Sequence, residues 1–134
     1  MRALLATIAL LAPMKAEAQQ TLSGLDGKSG IELTARSLLS DLPPLGFSAI
    51  ELMVKNDTGR DRKWNVRTRA TRGWGARDVA ISDRTIEVPK NATRTFEILA
   101  PLPAVSERIG QMDLTVTVEG FGVKSPTAFL SSRL

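Results

Sequence analysis

Histidine, cysteine and tyrosine are all absent from the 134 residues. Without histidine there is no imidazole base for a Ser-His-Asp triad or a Cys-His dyad, and without cysteine there are no thiolate ligands, so the usual zinc sites are excluded as well. No disulfide can form, and no lipid can be attached through a cysteine after an apolar leader. Aromatic residues make up only 4%, so the core has to come mainly from Ile, Leu and Val. That scarcity also leaves few rings to stack on single-stranded bases. Long apolar runs are missing too: residues 3–12 are interrupted only by Thr7, and a run of this length is about half of what a bilayer-spanning helix needs.

What that short run does fit is an export signal. Arg2 precedes it, and Ala16-Glu17-Ala18 supplies the small-x-small cleavage pattern, so cutting after Ala18 leaves Gln19 as the first residue. The expected address is extracytoplasmic, periplasmic or secreted, with no transmembrane anchor after signal cleavage. About 116 residues then remain, enough for one domain that folds without disulfides. A 43% hydrophobic and 24% charged composition is that of a globular chain and argues against disorder.

Residues 19–30, with Gly24, Asp26, Gly27, Ser29 and Gly30, read as a flexible lead-in. Period-two alternation begins at Ile31 and defines a domain over 31–134. Ile31, Leu33 and Ala35 are expected inward, then Ile50, Leu52 and Val54 on a strand over 48–55. A third strand over 62–71 turns Trp64, Val66, Thr68 and Ala70 inward and Lys63, Asn65, Arg67 and Arg69 outward. Short strands are expected over 78–81, with Val79 and Ile81 inward, and over 85–88, separated by Ser82-Asp83. Residues 93–100 follow, then 111–119, where Met112, Leu114, Val116 and Val118 alternate with polar residues, and finally 125–131.

Seven or eight short strands, each bounded by Gly, Pro or Asn and apolar on one face, predict an all-β fold, an antiparallel immunoglobulin-like β-sandwich. Trp64 occupies a position suited to the core Trp of such a sandwich.

The segments AIELMVKNDTG at 49–59, IEVPKNATRTFEI at 86–98 and LTVTV at 114–118 resemble the bacterial immunoglobulin-like accessory modules. Their pattern is a buried strand ending in Asn and a turn, a Val-Pro turn followed by Thr-x-Thr-Phe, and a late Leu-Thr-Val-Thr-Val strand. The resemblance implies a non-catalytic spacer or binding unit of an exported, often multidomain, protein. It leaves open that this chain is the N-terminal piece of a longer polypeptide.

Asp57-Thr58-Gly59 matches the aspartic-protease tripeptide, but Lys55, Asn56, Arg60, Asp61 and Arg62 flank it. The two-carboxylate chemistry needs an apolar setting, so a solvated hairpin is the simpler reading. Asp57 and Asp61 also fall short of a calcium loop, because the other ligands and the closing Glu are missing. Asn56-Asp57-Thr58 and Asn91-Ala92-Thr93 match the N-glycosylation pattern, yet Asn is favoured at turns for its own backbone bonding. No metal or cofactor is implied.

The charge distribution is more informative. The formal charge is +4, or about +3 once the signal is removed, and the excess is concentrated in Arg60, Arg62, Lys63, Arg67, Arg69 and Arg72. Lys63, Arg67 and Arg69 share a strand face and are candidates for binding an acidic polysaccharide or a lipid headgroup; Arg72 joins them by sequence. In an immunoglobulin-like order, however, that strand neighbours the penultimate one, which sets Arg67 and Arg69 beside Asp113 and Glu119 as cross-strand ion pairs. Specific nucleic-acid binding is disfavoured by the lack of aromatics.

Trp74, between Gly73 and Gly75, is the other candidate, as a platform for a sugar ring or a cover over the end of the sandwich. The apolar loop from Leu38 to Leu45 either covers the core edge or presents a partner surface. The expected function is an exported non-catalytic module that binds a partner protein or an envelope polymer. A polyanion site on the Arg-rich strand is the alternative, and a carboxylate-based hydrolase a distant one.

Overall fold

The structure is a computed structural model that describes residues 20–22, 29–38, 46–72, 78–103, 112–121 and 125–132. The expected signal, Trp74 and residues 39–45 of the apolar loop lie outside these described residues. Among the described residues the chain forms strands and no helix: β1 (Gln20–Thr21), β2 (Ile31–Ser37), β3 (Phe47–Asn56), β4 (Arg62–Arg72), β5 (Asp78–Val88), β6 (Ala92–Pro101), β7 (Met112–Glu119) and β8 (Thr127–Ser132). No described helix is long and apolar enough to cross a membrane.

These strands make two antiparallel sheets, ordered β1-β2-β3-β6 and β5-β4-β7-β8. Alternation places every second side chain of β3, β4 and β7 between the layers: Ile50, Leu52 and Val54; Trp64, Val66 and Ala70; Met112, Leu114, Val116 and Val118. They merge into one core shared by both sheets, and each large aliphatic side chain buried there contributes on the order of 1.5–3 kcal/mol. Trp64 closes one side of it by stacking on Phe121 at 5.0 Å between ring centres, 14° from parallel. Gly120 makes room for this contact. Its φ is +121°, and a Cβ there would stand 2.9 Å from Trp64 Cδ1.

Asn56 ties the layers together. At the end of β3, in the first sheet, it is fully buried. Its Nδ2 donates to the carbonyls of Val88 and Pro89, at 3.2 and 3.1 Å, where the second sheet's β5 ends, and to Arg60 O at 2.9 Å. Its Oδ1 accepts from the Thr58 backbone N–H at 3.0 Å, which shapes the turn after β3. Asn91 sits in the left-handed region, φ 53°, in the tight connection that carries the chain from β5 across to β6.

Two expectations need correction. Residues 78–88 form one continuous strand rather than two short ones, and Val79 and Ile81 are exposed. The reason is parity: β5 pairs with β4 without interruption from Asp78 to Val88, so burying Ile86 and Val88 sends residues 79 and 81 to the opposite face. The lead-in is also partly structured. Gln20 and Thr21 pair with Ala35 and Thr34, and Leu22 enters the core.

Candidate functional site

The outer face of the second sheet gathers most of the candidate residues, because β4 lies between β5 and β7 and alternation turns Lys63, Asn65, Arg67 and Arg69 outward. Register then decides each one's neighbours. Arg67 stands opposite Asp83 on β5 and Thr117 on β7, while Asn65 stands opposite Thr85 and Glu119. Arg67 Nε donates to Asp83 Oδ1 at 2.9 Å and Nη2 to Oδ2 at 3.3 Å; Nη1 lies 3.3 Å from Glu119 Oε1. Asn65 Nδ2 bridges the two acids, donating to Asp83 Oδ1 at 2.9 Å and to Glu119 Oε2 at 3.1 Å. The Arg67 hydrogen bond, seconded by that of Asn65, holds the Asp83 carboxyl below its ordinary range, and the same bond to Asp83, with the charges of Asp83 and Glu119, holds the Arg67 guanidinium above its own.

The expected cross-strand pairing is therefore half realised. Arg67 reaches Glu119, but Arg69 faces Ile81 on one side and Thr115 on the other and makes no ion pair among the described residues. Lys63 lies 3.6 Å from Glu87. Arg72 is separated from these three by parity: it points inward and is only 6% exposed. A basic stripe in which Lys63 and Arg67 are matched by Glu87, Asp83 and Glu119, leaving Arg69 alone, has little net field with which to hold a polyanion.

A groove of about 410 Å³ lies beside this face, lined by Asp61, Arg62, Lys63, Glu87, Val88, Pro89 and Arg94. It brings two carboxylates together, yet Asp61 Oδ1 accepts the Lys90 N–H at 2.9 Å and Glu87 faces Lys63. Paired-carboxylate hydrolysis needs one acid kept protonated in an apolar setting. Here three cationic side chains surround them. Asp57 is exposed in its turn and 3.5 Å from Lys55 Nζ. Asn56 has its amide committed to backbone carbonyls in the interior, which removes it as a glycan acceptor. Among the described residues no three acidic side chains group to hold a metal.

Sequence reasoning missed two features of this face. Asp83 was read as a turn residue and is the main partner of Arg67; counting back in steps of two from Ile86 and Val88 would have placed it outward. Phe129 on β8 is exposed, as the inward positions of Ala128 and Leu130 imply.

No family model matches the chain, and no curated protein is similar to it. Among solved structures it is similar to part of the β-glucuronidase of Bacteroides uniformis, at 12% identity and a TM-score of 0.50. The match covers 75% of this chain and 12% of that one, so the chain corresponds to a small portion of a much larger protein. At that identity the likeness is one of fold, two antiparallel β-layers, and extends to nothing else.

Proposed function

We propose that the chain is an exported, non-catalytic binding module of the immunoglobulin-like type, which engages a partner through the outer faces of its sheets. The observation that carries this reading is the division of labour on the second sheet. Its polar groups are satisfied among themselves around Arg67, while Val79 and Ile81 stay exposed on β5 next to Arg69, and Phe129 stays exposed on β8 beyond Thr115. Exposed apolar side chains gathered on one side of a small domain are the signature of an interaction surface. Burying them is favourable, and the satisfied network next to them has no group left to react.

A photo-crosslinking side chain installed in place of Ile81, in cells that export the protein, tests this. One discrete adduct is expected, and none with the same group at Arg60, on the exposed turn. Equal labelling at both sites, or none at either, overturns the reading. Mass spectrometry of the exported product checks the address, with Gln19 expected as its first residue.

A second reading, polyanion binding, is favoured by the groove rather than by the strand. Arg94 lines the groove without an ion-pair partner among the described residues, beside Arg62 and Lys63. Retention on heparin that disappears at modest salt supports it. Loss of retention in Arg94→Glu, with Arg67→Glu unchanged, places the anion in the groove; no retention of the unaltered protein removes polyanion binding altogether.

A further inference from the structure

The large apolar side chains left exposed among the described residues are Phe47, Val79, Ile81, Leu99 and Phe129, at 60, 41, 54, 59 and 64%. They fall into two patches, one on the outer face of each sheet. On the first sheet, Phe47 pairs with Pro101 and Ala49 with Leu99, so four apolar residues form a block across β3 and β6. The next outward pair is Glu51 with Glu97. Arg36 engages Glu51 at 2.8 and 3.0 Å, which leaves Glu97 without an ion-pair partner among the described residues. On the second sheet, Ile81, Arg69, Thr115 and Phe129 stand in register as one row across all four strands, with Val79 in the adjoining row. There the unmatched charge is Arg69.

The two patches thus share apolar character and carry opposite unmatched charges. We infer that the partner of these faces is a second copy of this chain: the first-sheet face of one molecule docks on the second-sheet face of the next, with Glu97 against Arg69. Charge complementarity selects this pairing. Joining two first-sheet faces crowds Glu97 against its own copy, and joining two second-sheet faces does the same to Arg69, each at an electrostatic cost. Because the patches lie on opposite sides of a two-layer fold, the contact is head-to-tail and does not close after two molecules; it propagates. Each patch holds only a few large side chains, so a single contact is weak. The inference rests on the outer faces being binding surfaces.

Sedimentation and light scattering of the purified protein, up to about 1 mM, test it. The weight-average mass is expected to rise with concentration past the dimer without a plateau. Leu99→Ser and Phe129→Ser each remove one side of every contact, so either variant alone stays monomeric, its association constant lowered about tenfold or more. Mixed one to one, the two variants form a dimer and stop, since each retains one intact face. Arg69→Glu and Glu97→Arg each weaken association, and both reversals in one chain restore it. Circular dichroism and thermal melting verify that the variants fold, and the charge reversals alter only exposed side chains.

A wild-type protein that is monomeric throughout overturns the inference. So does a dimer that persists in either serine variant, which signals a symmetric contact, and so does failure of the doubly reversed chain to recover. If the protein is monomeric while the Ile81 crosslinker captures a different protein, self-association falls and the binding-module reading stands.

Discussion

Arg67 and Asp83, directly opposite on β4 and β5, are joined by two parallel hydrogen bonds, Nε to Oδ1 at 2.9 Å and Nη2 to Oδ2 at 3.3 Å. This fork-to-fork geometry fixes orientation as well as charge. It gives the most basic strand of the chain a local partner and lowers its appeal to polyanions.

The pair sets an acid dependence. Folding holds the Asp83 carboxyl below its ordinary value of 3.8, mainly through the Arg67 bond. A depressed folded-state value contributes stability that is present above the unfolded value and is lost as pH falls through the folded one. Asp83→Asn is therefore expected to melt below wild type at pH 7, with the gap closing below about pH 3.8. Thermal scans from pH 2 to 7 read this, and 1 M salt narrows the gap because both groups are exposed. Arg67 stays charged across this range and adds no slope of its own.

Asn56→Ala removes the side chain that joins β3 to the end of β5 and leaves buried carbonyls without donors. A loss of about 2–4 kcal/mol is expected in urea unfolding. Asp57→Ala, one residue further on in an exposed position, is expected to stay within about 0.5 kcal/mol of wild type.

Gly120→Ala combines an unfavourable φ of +121° with a Cβ placed 2.9 Å from Trp64 Cδ1. The expected cost is about 1–3 kcal/mol, with a change in the near-ultraviolet circular dichroism of the displaced Trp64 and Phe121 pair.

The continuity of β5 has a direct test. Ile86 is buried and Ile81 exposed on the same strand. Ile86→Ala is expected to cost about 2–4 kcal/mol, and Ile81→Ala less than about 0.5 kcal/mol. Equal costs would restore the two-strand reading with Ile81 inward.

Much of the fold was legible because one-sided alternation is a local property. The inward sets on β2, β3, β4 and β7 follow from period two without knowledge of any partner. Reading failed at β5, where Ser82 and Asp83 imitate a turn. Their polarity instead suits a sheet edge, where Ser82 Oγ meets Thr68 Oγ1 at 2.8 Å and Asp83 meets Arg67. Arg72 and Asn56 were misplaced for a related cause: residue type suggests the surface, and strand parity places both inside.

From its sequence alone this protein was bound to be a disulfide-free, aliphatic-cored assembly of antiparallel strands without imidazole or thiol chemistry, because composition and alternation act within a few residues. Tertiary structure decided which charges meet. Asn65 and Glu119 lie 54 positions apart in the chain and 3.1 Å apart in space, and no local pattern encodes that distance. Register between β5, β4 and β7 neutralised Arg67 and left Arg69 unmatched, while register between β3 and β6 set Glu97 opposite Glu51 on the other sheet, since a cross-strand partner is set by sheet order and alignment rather than by a residue's own neighbours.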